Sequence, residues 1–165
     1  MFDTIAGLPL HPLVVHATEV VIPTAALVIA LAALWPAFRR WAGFLPFGLG
    51  LAAMVLVPIS TQSGEALQER VKDSSLISTH ADLAEGLLPW IFVLFVVSGV
   101  LLWWNRAERT GKAPRASKLV PIALAVTAVL AAAGTTGEAV LIGHSGATAV
   151  WSHAGTSTGT PVAAK

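Results

Sequence analysis

The chain has no cysteine and little charge. Of its 165 residues, ten are Lys or Arg and nine are Asp or Glu, so that 12% are charged while 55% are hydrophobic. Without cysteine, disulfide bridges, thiolate metal sites and iron–sulfur clusters are excluded. A soluble domain of this length would carry about twice this fraction of charge. The composition therefore favours a chain whose outer surface contacts lipid.

Motifs of several functional classes are also missing. No glycine-rich phosphate loop is present, because Gly64 and Gly137 are isolated glycines. The adjacent His144 and Ser145 do not indicate a catalytic triad, which is recognised by geometry rather than by sequence proximity. The basic segments are short and adjoin apolar ones, which argues against nucleic-acid binding. We therefore predict no catalytic residues, and we favour a non-catalytic redox or accessory subunit over an enzyme.

Four long apolar segments dominate the sequence. They cover residues 13–35, 44–63, 80–104 and 119–142, each near the ~20 residues that a helix needs to cross a bilayer. Because lipid offers no hydrogen-bond partners to the backbone, these segments should be helices. The predicted fold is all-α, a polytopic membrane four-helix up-down bundle. Residues 1–150 should form the transmembrane domain, and residues 151–165, rich in Gly, Thr, Ser and Ala, a flexible extracytoplasmic tail.

Charged residues are sorted between the two ends of these segments. Seven of the ten basic residues lie in the first and third connections, whereas eight of the nine acidic residues and all five histidines lie toward the opposite end. Short loops rich in Arg and Lys stay in the cytoplasm. This rule predicts that both termini are outside a bacterial cell membrane that the chain crosses several times.

A weak internal repeat relates the two halves. The sequence SGEA at 63–66 is similar to TGEA at 136–139, and His16-Ala17 is similar to His80-Ala81. Each half then begins outside at a histidine and ends outside at a Gly-Glu-Ala sequence. Halves of equal polarity are related by an axis along the membrane normal, so we expect two two-helix repeats.

Counting residues along each span predicts one polar layer near the outer face. At 1.5 Å per residue, His16, Glu65, His80 and Glu138 fall within about two helical turns of one another. In an up-down bundle the first and third helices are diagonal, so His16 and His80 could face each other across the axis. Two facing imidazoles suit the axial ligation of a b-type haem. Histidines and carboxylates that converge from four helices also suit a non-haem metal site.

Two sets of candidate ligands follow from this layer. The cofactor-binding set is His16, His80 and His144, and the metal-binding set is His16, Glu19, Glu65, His80, Glu85 and Glu138. His144 has a second interpretation as a helix-terminal residue, because glycines flank it. By contrast, His11, Asp82 and His153 are predicted to be solvated side chains near the outer surface, where ionisable groups reach water.

The chain also resembles a known family. The sequence LHPLVVH at 10–16, His80 at the head of the third span, and GEAVLIGHSG at 137–146 are similar to the bacterial four-helix membrane family known as domain of unknown function 2231. The resemblance covers essentially the whole chain. Members often occur joined to Rieske or c-type cytochrome domains, which implies membrane electron transfer. Family members usually have Phe-Pro after the second opening histidine, whereas Ala17 and Thr18 follow it here.

Three functions are consistent with these features. The first is an electron-transfer subunit with haem b, bound by His16 and His80 near the outer face. The second is a transition-metal-binding or metal-transport protein that uses the His and Glu set. The third is a cofactor-free accessory subunit of a respiratory complex. The expected partners are the lipid bilayer, a larger respiratory complex, a periplasmic electron carrier, a quinone and a second copy of the chain.

Overall fold

A computed structural model describes residues 4–5, 7–71, 74–112 and 119–151. Within these residues the chain forms a short hairpin and five helices. The hairpin pairs β1 (Thr4–Ile5) antiparallel with β2 (Leu8–Pro9). The helices are α1 (Leu10–Leu34), α2 (Pro36–Ala42), α3 (Leu45–Gln68), α4 (Ser75–Arg109) and α5 (Leu119–Trp151).

The predicted all-α membrane fold is confirmed. Helices α1, α3, α4 and α5 are each long and apolar enough to span a bilayer. They extend beyond the apolar segments, since α4 begins at Ser75 and α5 ends at Trp151. The short helix α2 was not predicted; Pro36 occupies its first turn, where a missing N–H costs nothing. Most of the predicted tail, including His153, lies outside the described residues.

The four long helices form a bundle with two diagonal pairs. Helices α1 and α4 each pack against both α3 and α5, and they also touch each other across the bundle axis. Ile29, Ile91 and Leu94 are almost fully buried where the helices meet. In the most apolar stretch of each of these helices only 22–33% of the residues are buried, so most residues there are at least partly exposed. Such a surface is expected of a protein surrounded by lipid.

Burial shows that the two halves are structural repeats. Five buried residues of α1, from Thr18 to Ala32, each have a buried counterpart in α4. Each counterpart lies 69 positions later in the chain, from Leu87 to Leu101. In the same way, Pro46 and Ala53 of α3 match Ala128 and Thr135 of α5, 82 positions later. At these offsets His80 corresponds to His11. The repeat is therefore present, but its register differs from the one expected from His16 and the Gly-Glu-Ala sequences.

The bundle has a histidine end and an arginine end. The histidine end comprises the first residues of α1 and α4 and the last residues of α3 and α5. The arginine end holds α2 and the end of α4. There the buried Arg39 reaches both carboxylate oxygens of Glu108 at 3.2 Å, and the Trp104 indole donates to the same carboxylate at 2.9 Å. Glu108, the single acidic residue at this end, thus neutralises a buried arginine.

The orientation of the bundle can be tested with cysteine reporters, because the native chain has none. We predict that the arginine end is cytoplasmic, from the basic residues in its loops. A cysteine at the exposed Lys112 should then be protected from a membrane-impermeant maleimide in intact cells, whereas a cysteine at the exposed Glu69 should react. Both should react after the cells are lysed. The opposite pattern in intact cells would reverse the orientation.

Candidate functional site

Two histidines meet at the histidine end of the bundle. His11, the second residue of α1, lies across the axis from His80 in the second turn of α4. Their ring centroids are 6.5 Å apart and the ring planes are inclined by 79°. Both rings are half-buried. The pair therefore links the two diagonal helices at the histidine end of the bundle.

Each ring is fixed by the helix beside it. His11 Nδ1 lies 3.0 Å from the Ser60 carbonyl oxygen and 3.3 Å from Ser63 Oγ on α3. His80 Nδ1 lies 3.2 Å from the Ile142 carbonyl oxygen and 3.0 Å from Ser145 Oγ on α5. The same arrangement thus occurs twice, once in each half of the bundle.

The serine hydroxyls determine which ring nitrogen carries the proton. Ser63 donates its hydroxyl hydrogen to the Ser60 carbonyl, and Ser145 donates to the Ile142 carbonyl, each at 2.9 Å. Both neighbours of each Nδ1 are therefore acceptors, so a neutral ring must carry its hydrogen on Nδ1. This leaves the Nε2 lone pair of both histidines free. Neither Nε2 has a hydrogen-bond partner among the residues that the structure describes.

Glycines beside the rings allow this close approach. A Cβ at Gly64 would lie 3.1 Å from Cε1 of His11, and a Cβ at Gly146 would lie 3.1 Å from Cε1 of His80. Both glycines directly follow the serines that accept from the rings, so Ser-Gly is the unit that receives each histidine. A larger residue at either position would crowd the ring and require it to shift away from its present position.

Of the predicted ligands, the structure brings His80 into this pair and leaves the others apart from it. His16 is exposed on α1, and its Nδ1 contacts the Pro12 carbonyl of the same helix. Glu19, Glu65, Glu85 and His144 are also exposed. In the described part of the chain, no three His, Asp or Glu side chains are close enough to hold a metal ion together. The roles predicted for these residues remain predictions.

Glu138 lies half-buried between α5 and α4. A Cβ at Gly86 would lie 2.9 Å from Glu138 Oε1. The Glu138 carboxylate therefore occupies the space that a side chain at position 86 would need. Gly134, one turn before Glu138, makes room for the Trp90 ring in the same way, because a Cβ at Gly134 would lie 2.6 Å from that ring. Small residues thus let α4 and α5 approach closely around Glu138, as expected for helices packed in lipid.

The sequence interpretation missed His11 as a partner of His80. It assigned His11 to the solvated surface because ionisable groups near the ends of membrane helices can reach water. The available signal was the Ser-Gly pair near the C-terminal ends of the second and fourth apolar segments, at 63–64 and 145–146; a third Ser-Gly pair, at 98–99, lies inside the third segment. Aligning the halves on Ser-Gly rather than on Gly-Glu-Ala would have matched the C-terminal ends of α3 and α5 correctly.

A comparison with protein families identifies the chain. The model of a family described as predicted membrane protein, DUF2231, matches residues 7–159. The chain belongs to this family. The match spans all four membrane helices, and it confirms the resemblance seen in the opening and closing motifs. No curated protein and no solved structure matches the chain.

Proposed function

We propose that this DUF2231 protein is a membrane electron-transfer subunit in which His11 and His80 would hold a b-type haem. The observation that carries this proposal is the pair of imidazoles on diagonal helices, each with Nδ1 bound to a carbonyl and Nε2 free. His16, the ligand expected from the sequence, is replaced by His11 in this proposal.

The spacing of the two rings supports a shared metal centre. Two imidazoles that bind one metal ion at about 2 Å per bond would place their ring centroids roughly 6 Å apart. The observed centroid separation is 6.5 Å. The two values agree, and this agreement is what the centroid separation contributes to the proposal.

The number of protein ligands favours haem over a bare metal ion. Protein sites for zinc and similar ions use three or four side chains, whereas two histidines are enough to hold a b-type haem, because the porphyrin supplies the other iron ligands. Only two histidines converge here, and no third His, Asp or Glu joins them within the described residues. The donor set therefore fits haem.

The chain's own residues would position and tune this centre. The Ser60 and Ile142 carbonyls accept a hydrogen bond from Nδ1–H of each ring. This bond holds the ring in one orientation and makes the Nε2 lone pair a stronger ligand for a metal. The haem would supply reversible one-electron transfer. We place the site on the extracytoplasmic side, near a periplasmic carrier or a larger respiratory complex, since the histidine end is opposite the basic loops.

Absorption spectroscopy with metal analysis of the same purified sample tests the proposal. We expect a Soret band that shifts on reduction, with about one iron per chain bound as haem. Stoichiometric zinc, copper or manganese without that band would overturn haem in favour of a transition-metal site. A protein purified from haem-supplemented cells with neither signal would overturn both and favour a cofactor-free accessory subunit.

A further inference from the structure

The short helix α2 and the residue before it carry a row of aromatic rings at the arginine end. The ring centroids of Trp35 and Phe38 are 6.3 Å apart, and those of Phe38 and Trp41 are 5.7 Å apart. We call these three residues the aromatic row. Trp35 is 59% exposed and Trp41 is 77% exposed, so the bundle leaves both indole rings largely uncovered. Indole rings favour the headgroup layer of a bilayer.

Another face of α2 is fixed to α4. The buried Arg39 reaches the Glu108 carboxylate at 3.2 Å, and the Asn105 amide approaches the Arg39 carbonyl oxygen at 3.5 Å. These contacts hold the aromatic row in place beside the bundle. A helix that presents aromatic rings on one side and basic residues on another is typical of segments that lie in the membrane interface.

Two exposed arginines beside the aromatic row lack a counter-ion. Arg40 precedes Trp41 in α2, and Arg109, at the end of α4, donates to the Arg40 carbonyl oxygen. The Glu108 carboxylate already accepts from Arg39. Among the residues that the structure describes, neither Arg40 nor Arg109 forms an ion pair. The fold therefore brings a second guanidinium group to the residue that carries the first.

The internal repeat separates these two arginines from the ion pair beside them. At the offset of 69 positions, Arg39 corresponds to Glu108 and Arg40 corresponds to Arg109. The first two residues have opposite charges and neutralise each other. Arg40 and Arg109 have the same charge, and like charges that are close together repel. An anion that binds both would remove this repulsion.

We propose that Arg40 and Arg109 bind the phosphate of an anionic phospholipid whose acyl chains pack against the aromatic row. Guanidinium groups bind phosphate oxygens through charge-assisted hydrogen bonds, often two at a time. The exposed indole rings of Trp35 and Trp41 supply an apolar surface next to this charge. The lipid comes from the leaflet at the arginine end, and anionic lipids are attracted to such basic juxtamembrane residues.

Other occupants match this surface less well. A free phosphate ion would neutralise the arginines but would leave the aromatic row uncovered. In a symmetric dimer through this surface the same residues appear on both subunits, so Arg40 and Arg109 of two copies would add to the repulsion. A phospholipid supplies both the negative charge and the apolar chains.

The test measures how strongly spin-labelled phosphatidylglycerol binds the full chain in phosphatidylcholine nanodiscs. Electron paramagnetic resonance gives the fraction of labelled lipid that is immobilised on the protein. We expect Arg40→Gln and Arg109→Gln each to weaken phosphatidylglycerol binding about fivefold, the effect of one arginine at an anionic lipid surface. Binding of spin-labelled phosphatidylcholine should not change.

Arg106→Gln is the matched control for the charge. Arg106 is exposed on α4 one turn before Arg109, and it forms no hydrogen bond or ion pair with α2 among the described residues. Its loss should change phosphatidylglycerol binding less than twofold. For the aromatic row, Trp41→Ala should weaken binding of the lipid severalfold, whereas Trp103→Ala, an exposed indole on α4, should not.

Four results would overturn the proposal. Wild type could immobilise phosphatidylglycerol and phosphatidylcholine equally, or Arg106→Gln could act as strongly as Arg40→Gln, which would show a diffuse basic surface. Inorganic phosphate could displace the labelled lipid at constant ionic strength, which would show a site for soluble anions. Finally, Arg40→Gln could act by dissociating a dimer. None of these measurements involves His11 or His80, so they test this site separately from haem binding.

Discussion

Replacing His11 with alanine should abolish haem retention, and His80→Ala should do the same. Each substitution would remove one of the two histidines proposed to hold the haem, and a single imidazole does not by itself maintain six-coordinate low-spin iron. We expect bound haem per protein to fall at least tenfold in either variant, or any residual haem to become high-spin. Reduced-minus-oxidised spectra and a haem assay on matched amounts of protein measure both effects.

His16→Ala is the control that separates the structure from the sequence interpretation. Its ring is exposed on α1 and bonds its own helix, so we expect wild-type haem content. Loss of haem in His16→Ala together with retention in His11→Ala would restore the ligand pair expected from the sequence. Equal retention in all three histidine variants would remove the histidines from any cofactor site.

Replacing Gly50 with leucine should strongly destabilise the bundle. A Cβ there would lie 2.8 Å from Ser98 Oγ and 3.5 Å from both Ile29 Cδ1 and the Phe95 Cα. Ser98 is fully buried and donates to the Phe95 carbonyl at 2.7 Å, so it has no space into which to move. Overpacking of this kind costs about 1–3 kcal/mol, a large part of the stability of a typical domain.

Gly143→Leu is the matched control for this packing effect. It is also a helical glycine, but a Cβ at Gly143 meets no atom within 4 Å. Leucine should be neutral or stabilise α5 there, because glycine is the poorer helix former by about 1 kcal/mol. Denaturation by sodium dodecyl sulfate, followed by circular dichroism, compares the two variants. Equal unfolding midpoints for Gly50→Leu and wild type would show that α3 and α4 are not packed as described.

The predicted spans and the observed helices agree because bilayer crossing is decided within each segment. About 20 apolar residues suffice for a span whatever its neighbours are, and this property can be counted along the chain. The helix ends depend on local polar contacts instead. Ser74 caps α4 by accepting from the Ile77 N–H at 3.3 Å, so this helix begins five residues before the apolar segment at His80.

The candidate site could be predicted only in part. His80 was identified from its position at the head of a span, and the diagonal placement of its helix was expected from an up-down bundle. His11 was not identified, because its burial comes from contacts with Ser60, Ser63 and Gly64, which are about fifty residues away in the chain. No property of residues 10–16 alone distinguishes His11 from His16 as the residue that faces the bundle axis.

The sequence by itself determined the number of spans, the difference in charge between the two ends of the bundle and the presence of a repeat. These follow from hydrophobicity and charge, which each segment carries independently of its partners. Tertiary structure decided which histidines meet and why Glu108 lies among basic residues. Those features depend on which face each helix turns toward its neighbours, and that choice is made by the packing of small and large side chains between helices.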